Sequence, residues 1–317
     1  MTMRVVSLIA SATETVCALG EEAALVGRSH ECDWPASVRR LPMVSRPAFA
    51  TAGGSKAVDL ALKERLAKAL SVYEVDGALL KQLHPDLIIT QTQCEVCAVS
   101  PADVERAVCD LTERPAQVLA LEPNGLDDVW VDIQRVADAL GIAARGRELV
   151  GKLRARVEGI RSRAAGLESR PRVAVIEWIE PLMAAGNWMP ELVALAGGVN
   201  LFGEARKHSP WMTFEALAAA DPDVIVVSPC GYDIGRTRPE MPVLTARPEW
   251  GAMRAVKTGR VYLADGNAFF HRPGPRLVES LEILAEMLHP DAFGSRHLGQ
   301  GWARLRVSGG EGQAPAS

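Results

Sequence analysis

The chain has 317 residues, 48% of them hydrophobic and 23% charged, which suits two buried cores better than one. Its net charge of -4, with no block of Lys and Arg, argues against a nucleic-acid partner. No segment reaches the roughly 20 apolar residues that span a bilayer, so the chain is not expected to be membrane-spanning.

At the N-terminus, Val5–Ile9 reads as a first strand. Ser11 and Glu14 have the spacing of a capping box, which starts a helix that Gly20 can end. This start lacks the order of a secretory signal, a basic stretch followed by an apolar core and a small-residue cleavage site. The six cysteines, Cys17, Cys32, Cys94, Cys97, Cys109 and Cys230, are too dispersed for a disulfide framework. The expectation is a cytoplasmic protein with reduced thiols, extracytoplasmic only if residues upstream of Met1 are missing.

Short apolar runs then alternate with helical stretches: "RVVSLIA", "ALVGRS", "PDLIITQ", "AQVLAL", "RVAVIEW", "PDVIVVS" and "GRVYLAD". The pattern predicts an α/β fold with mostly parallel central sheets. "LHPDLIIT" and "ADPDVIVV" share one logic, a helix stopping at Pro before a buried strand, and this echo predicts two lobes of related design. Between them Leu149, Leu153, Val157, Ile160, Ala164 and Leu167 make one apolar stripe at helical spacing. The expected division is an N-terminal α/β lobe over 1–142, a connecting helix over 143–169, a C-terminal α/β lobe over 170–292 and a partly disordered extension over 293–317.

Parallel sheets bind ligands beyond the carboxyl ends of their strands, so the residues after each run are the site candidates. They include Ser11; His30, Cys32, Asp33 and Trp34 in "SHECDWP"; Gln91, Gln93, Cys94 and Cys97 in "TQTQCEVC"; Trp178, Asn187 and Trp188; Cys230 and Tyr232; and Asn267, Phe270, His271 and Arg272. Trp178 and Trp188, beside Gly, Asn and Pro, suit the lining of a pocket for a flat ligand. Asp33 suits a loop cap. The Cys94–Cys97 pair is compatible with redox chemistry, half of a zinc or iron site, or the first turn of a helix. Further metal ligands would come from Cys32, His30, Cys230 or His271. Nucleotide, hydrolase and metalloprotease motifs are missing, and binding is favoured over catalysis.

The segments "RVVSLIASATETVCALG", "LVGRSHECDWP", "LHPDLIIT", "MAAGNWMPELVALAGGVNLFGE", "WMTFEALAAADPDVIVVSP" and "GRVYLADGNAFFHRPGPRLVESLEILAEMLHP" together resemble the iron-siderophore and cobalamin class of ABC-transporter substrate-binding proteins, most of all its cobalamin-binding members. The resemblance implies two Rossmann-like lobes joined by one long helix, small lobe movements, and a corrinoid such as cobalamin, or another metal chelate, held in the cleft. It also implies that Trp178 and Trp188 sandwich the ligand, with Gln91, Gln93 and Asn187 bonding its peripheral amides. His30, Cys32 or His271 would be candidate axial ligands.

Two departures stand out. Permease docking in this class uses a glutamate on each lobe; Glu215 matches the second-lobe position, but Ala78 stands at the first. Cobalamin capture also needs no thiols. The reading is therefore a cytoplasmic chelate-binding protein. Its rivals are a zinc-, iron- or cluster-binding protein using Cys32, Cys94 and Cys97, a thiol-based redox enzyme, and an ABC importer component.

Overall fold

The computed structural model describes residues 3–67, 73–91 and 116–305. All seven quoted runs contain strands. β1 (Val5–Ser7), β2 (Leu25–Arg28), β5 (Leu87–Gln91) and β6 (Gln117–Leu121) form a wholly parallel sheet in the order β2-β1-β5-β6. A small antiparallel pair, β3 (Ser45–Pro47) and β4 (Tyr73–Val75), accompanies it. In the second lobe β7 (Arg172–Trp178), β10 (Val224–Val227) and β11 (Val261–Ala264) are parallel. The short β8 (Met183–Ala184) pairs antiparallel and β9 (Val199–Asn200) parallel with β7, while β12 (Trp302–Arg304) adds an antiparallel edge beside β11. The central strands β1, β5, β10 and β11 are buried along their whole length, the pattern of a sheet covered on both faces.

Helix α1 (Ala10–Ala18) follows β1 directly. The expected capping box is absent, because the N-cap is Ile9 without a side-chain bond, and Ser11 and Glu14 are buried inside the helix. β1 is correspondingly shorter than Val5–Ile9. After α2 (Ser55–Ala67) comes α3 (Gly77–Leu83), and in the second lobe its counterpart is the later helix Phe214–Ala220. The counterparts repeat each other in detail. Asp76 Oδ1 accepts from Leu79 N, as Thr213 Oγ1 accepts from Ala216 N. Each helix ends on a left-handed residue before Pro-Asp, His84 at φ 41° and Asp221 at φ 42°. The two aspartates then accept from the chain beside the neighbouring strand, Asp86 from Arg4 N at 2.8 Å and Asp223 from Arg172 N at 2.9 Å. Ala78 and Glu215 fall at the same place, two residues after their caps.

α4 (Leu126–Ala139) leads into α5 (Ala143–Ala165), which runs between the two sheets in sequence. Leu153, Ile160 and Ala164 are buried along its stripe, and Leu149 packs against the cores of both lobes. The helix stops at Ala165, short of the expected 169, with Gly166 as its cap. α6 (Met189–Leu195), α7 (Phe214–Ala220) and α8 (Leu277–Leu288) complete the elements needed below. The extension is tied down as far as β12. Buried Glu286 accepts from His297 Nδ1 at 2.7 Å and Trp302 Nε1 at 2.8 Å.

Gly186 sits where the chain turns from β8 towards α6, and an added Cβ would lie 2.5 Å from Lys207 O and 2.7 Å from Ser209 N. Backbone cannot retreat as a flexible side chain can, so Gly186→Ala is expected to cost roughly 1–3 kcal/mol. Urea unfolding midpoints check this, and an unchanged midpoint contradicts it.

Candidate functional site

Segments beyond the carboxyl ends of β1, β2 and β11 meet at one contact between the lobes, and a buried arginine lies at its centre. Arg272, 6% exposed, follows β11. Its Nη1 donates to Glu14 Oε1 on α1 at 3.0 Å and to Asp33 Oδ1 at 2.6 Å. Its Nη2 donates to the Glu31 carbonyl at 3.4 Å and to Asn267 Oδ1 at 3.3 Å. Arg276 lies 3.6 Å from the same Glu14 oxygen, with its guanidinium over the rings of Trp34 at 4.6 Å and Phe269 at 4.4 Å. Gly274 completes the approach, since a Cβ there would lie 3.1 Å from Ser11 O.

Burial pushes the Glu14 carboxyl up to about 7 against the pull of Arg272 and Arg276, and its Oε2 has no hydrogen-bond partner. Burial also works to raise Asp33, but the hydrogen bond and charge of Arg272 outweigh it and hold the carboxyl low. For Arg272, burial acts to lower the guanidinium, and its bonds and charges with Asp33 and Glu14 hold it above its ordinary value. The arginine is therefore a fixed cation between an ionised Asp33 and a Glu14 that titrates near neutrality.

A second set of contacts crosses the cleft at the start of α2. Ser55 N donates to Glu240 Oε2 at 2.8 Å and Oε1 at 3.0 Å, which places a second-lobe carboxylate at the positive end of a first-lobe helix. Lys56 pairs with Glu180 at 2.8 Å, Arg236 donates to Thr51 O, and Lys63 lies 5.0 Å above the exposed Trp211 ring. The lysines of this strap are exposed, whereas the Arg272 cluster is buried.

The expected site residues divide clearly. Ser11, Asp33 and Arg272 meet at the interlobe contact, and Trp34 stands beside it, 49% exposed. His30 belongs to the same loop, with Nδ1 3.3 Å from Ser45 Oγ and its ring 5.2 Å from that of Tyr73. Burial, helped by Arg28, lowers it to about 4 and keeps it neutral. Gln91 is buried at the end of β5. Trp178 and Tyr232 meet edge to face at 5.2 Å, and His271 Nε2 is bonded to Ser228 O at 2.6 Å. Asn187 holds a left-handed turn, its N–H donating to Lys207 O at 2.7 Å.

Three of the expected site residues, Trp188, Phe270 and Cys32, are buried in the fold. Trp188 is a core residue, 5% exposed, with Nε1 donating to Phe270 O at 2.9 Å, and Phe270 is itself fully buried in that core. Neither ring is a free platform. Cys32 is fully buried, and its sulfur accepts from Thr13 Oγ1 at 2.9 Å with Ser29 Oγ at 3.2 Å. Burial raises its pKa against those hydrogen bonds, the reverse of an activated thiolate. Among the described residues no group of three His, Cys, Asp or Glu side chains is arranged to hold a metal ion. Gln93, Cys94 and Cys97 lie outside the described residues.

The sequence reading missed Glu14 as an interlobe acid, together with Arg276, Arg236 and Glu240. The available signal was a lone glutamate within the apolar start of α1 and the paired arginines of "RPGPR". Glu215 is exposed in the first turn of α7 and pairs with Arg247 at 2.7 Å, while the equivalent Ala78 offers no charge. A separate cavity between β6 and α4, lined by Gln117, Leu119, Arg135, Asp138 and Ala139, involves none of these residues.

Residues 5–268 match the family model described as periplasmic binding protein. An uncharacterized ABC transporter substrate-binding lipoprotein of Bacillus subtilis (strain 168) is 25% identical over 298 residues, covering 92% of this chain and 81% of its own length. A vitamin B12-binding protein of Yersinia pestis (strain Pestoides F) is 24% identical over 228 residues, 71% of this chain and 69% of its own. A periplasmic heme binding protein from Pseudomonas aeruginosa superposes with a TM-score of 0.69 at 22% identity, covering 92% of this chain and 94% of that one. These relatives are solute-binding proteins, in agreement with binding over catalysis. The expected cytoplasmic location is overturned, because the matching family is periplasmic and the Bacillus relative is a lipoprotein. No described helix is long and apolar enough to cross a membrane.

Two outcomes follow. Arg272→Met leaves Glu14 and Asp33 facing each other without their shared cation and is expected to cost about 3–5 kcal/mol in urea unfolding; a loss below about 1 kcal/mol contradicts a buried ion cluster. For His30 the unfolded chain takes up a proton near pH 6.5 that the folded protein refuses until about 4. This histidine therefore removes stability as pH falls through that window. His30→Gln should lose less stability than the parent between pH 7 and 5, and an equal loss in both would contradict the assignment.

Proposed function

The chain belongs to the periplasmic binding protein family, and on that premise we propose that it is the substrate-binding component of an ABC importer, holding a corrinoid or comparable planar metal chelate between its lobes. The carrying observation is where unsatisfied polar atoms collect. Ser11 Oγ, Glu14 Oε2, Arg28 Nε, Trp178 Nε1 and Ser228 Oγ are buried without hydrogen-bond partners at or just beyond the carboxyl ends of strands in both lobes. Orphan groups are rare in folded proteins and call for a partner that the chain does not supply. A ligand with a polar rim supplies several at once.

The proposed roles follow from position. Trp34 is the exposed aromatic at the cleft, and its indole suits contact with a macrocycle face. His30, neutral and with 19% of its side chain accessible, is a better axial ligand than His271, whose Nε2 is engaged, or Cys32, whose sulfur is enclosed. Arg272 and Asp33 position the flanking loops. Glu215 suits an arginine on a permease, with docking weighted to the second lobe because Ala78 carries no charge.

The test is titration of the purified protein with cyanocobalamin, dicyanocobinamide and hemin, followed by visible absorption. Saturation of at least one at one per chain is expected, with Trp34→Ala weakening it roughly tenfold. No saturable binding of any of the three contradicts the reading.

A further inference from the structure

Beside the interlobe contact, Trp34 combines a tethered backbone with an open ring. Its neighbour Asp33 is bonded through Oδ1 to Arg272 Nη1 at 2.6 Å, and the Asp33 carbonyl accepts from Arg39 Nε at 3.1 Å. The indole itself is half exposed. A ring left so open ordinarily samples several rotamers, and a ligand that needs one of them loses affinity to that freedom. Here the ring is braced from the second lobe. The Arg276 guanidinium stands 4.6 Å from the centroid of the Trp34 ring and 4.4 Å from that of Phe269, so it bridges an aromatic of each lobe. Phe269 is buried in the hydrophobic core and does not move with the loop. The arginine is held in turn, because its Nε donates to Glu279 Oε2 at 3.3 Å and its Nη1 lies 3.6 Å from Glu14 Oε1. A planar guanidinium can stack on rings while its edge nitrogens engage carboxylates, which a point-like ammonium cannot do.

We propose that Arg276 is a positioning residue for the ligand: stacked on Phe269 in the second lobe, its guanidinium holds the Trp34 indole of the first lobe in the one orientation that meets a macrocycle face. This rests on the chelate reading above, in which Trp34 contacts the ligand, and adds the group that prepares it. Arg276 acts through the indole and not on the ligand. Because the brace and the ring belong to different lobes, the ring is ordered only while the interlobe contact is made. The same contact that sets the cleft width therefore also readies its aromatic wall.

The full chain is titrated with whichever of cyanocobalamin, dicyanocobinamide and hemin saturates it, comparing wild type, Arg276→Met, Arg276→Lys, Trp34→Ala and the double variant Trp34→Ala, Arg276→Met. Arg276→Met is expected to raise Kd about threefold to tenfold, and to raise it no further once Trp34 is replaced. Arg276→Lys keeps a charge beside Glu14 and Glu279 and guards against a folding defect; it should melt like wild type and still weaken binding, because it lacks the flat face. Fluorine NMR of fluorotryptophan-labelled protein reads the brace without ligand. The Trp34 signal, identified by its loss in Trp34→Phe, should shift and narrow in both Arg276 variants. An Arg276 effect of equal size with and without Trp34, or a Trp34 signal that neither Arg276 variant moves, overturns the proposal and leaves the chelate reading standing. Trp34→Ala that binds like wild type removes the ring from the site and the proposal with it. A wild-type chain that none of the three probes saturates overturns both.

Discussion

The Arg272 guanidinium, shared between Glu14 and Asp33, is the contact on which the rest of the arrangement depends. It joins three segments far apart in sequence: helix α1 after the first strand, the loop after β2, and the loop after β11. Buried ion pairs of this kind add little net stability, because desolvation offsets most of the attraction, but they are costly to break from one side. The cluster therefore acts mainly on position. It fixes how closely the strand ends of the two lobes approach and so sets the width of the cleft. The strap at α2 differs in kind, since its lysines pair in solvent, where screening and side-chain entropy offset most of the attraction. Movement that admits a ligand meets less resistance at the strap than at the arginine.

The strands, their parallel pairing and the long helix were legible because local pattern determines them. Runs such as "PDLIITQ" carry consecutive apolar residues, Leu87 to Ile89, instead of an alternation, and "LHPD" and "ADPD" announce a helix stop before a buried strand. The stripe from Leu149 to Ala164 could only be a helix face. The site was less legible for an equally physical reason. "SATE" has the spacing of a capping box, and nothing local reveals that Glu14 answers an arginine 258 positions away. Trp188 beside Gly and Asn reads as a pocket wall, but its N–H finds the Phe270 carbonyl 82 positions on and the ring is drawn into the core. Local spacing does not distinguish a strand-end aromatic that faces a cleft from one that faces inward.

The family assignment also changes what the cysteines mean. In a reducing cytosol free thiols need no protection, whereas outside it they do. Cys32 is sealed beneath Thr13 and Ser29, and burial together with the charges of Glu22 and Glu14 pushes the Cys17 thiol up to about 12. Both are held as thiols rather than reactive thiolates. The two lobes repeat each other in caps, helix stops and strand anchors but differ at Ala78 and Glu215, so a partner that reads charge can tell them apart.

The central claim is that a metal chelate sits between the lobes, against the strand ends that Arg272 brings together. The most direct test is a crystal structure of the protein loaded with cobinamide or hemin, with diffraction recorded at the cobalt or iron absorption edge to locate the metal. The account predicts one anomalous peak in the interlobe cleft, with the macrocycle in contact with Trp34. A peak elsewhere, such as the cavity between β6 and α4, or a ligand that leaves the cleft residues untouched, would contradict it.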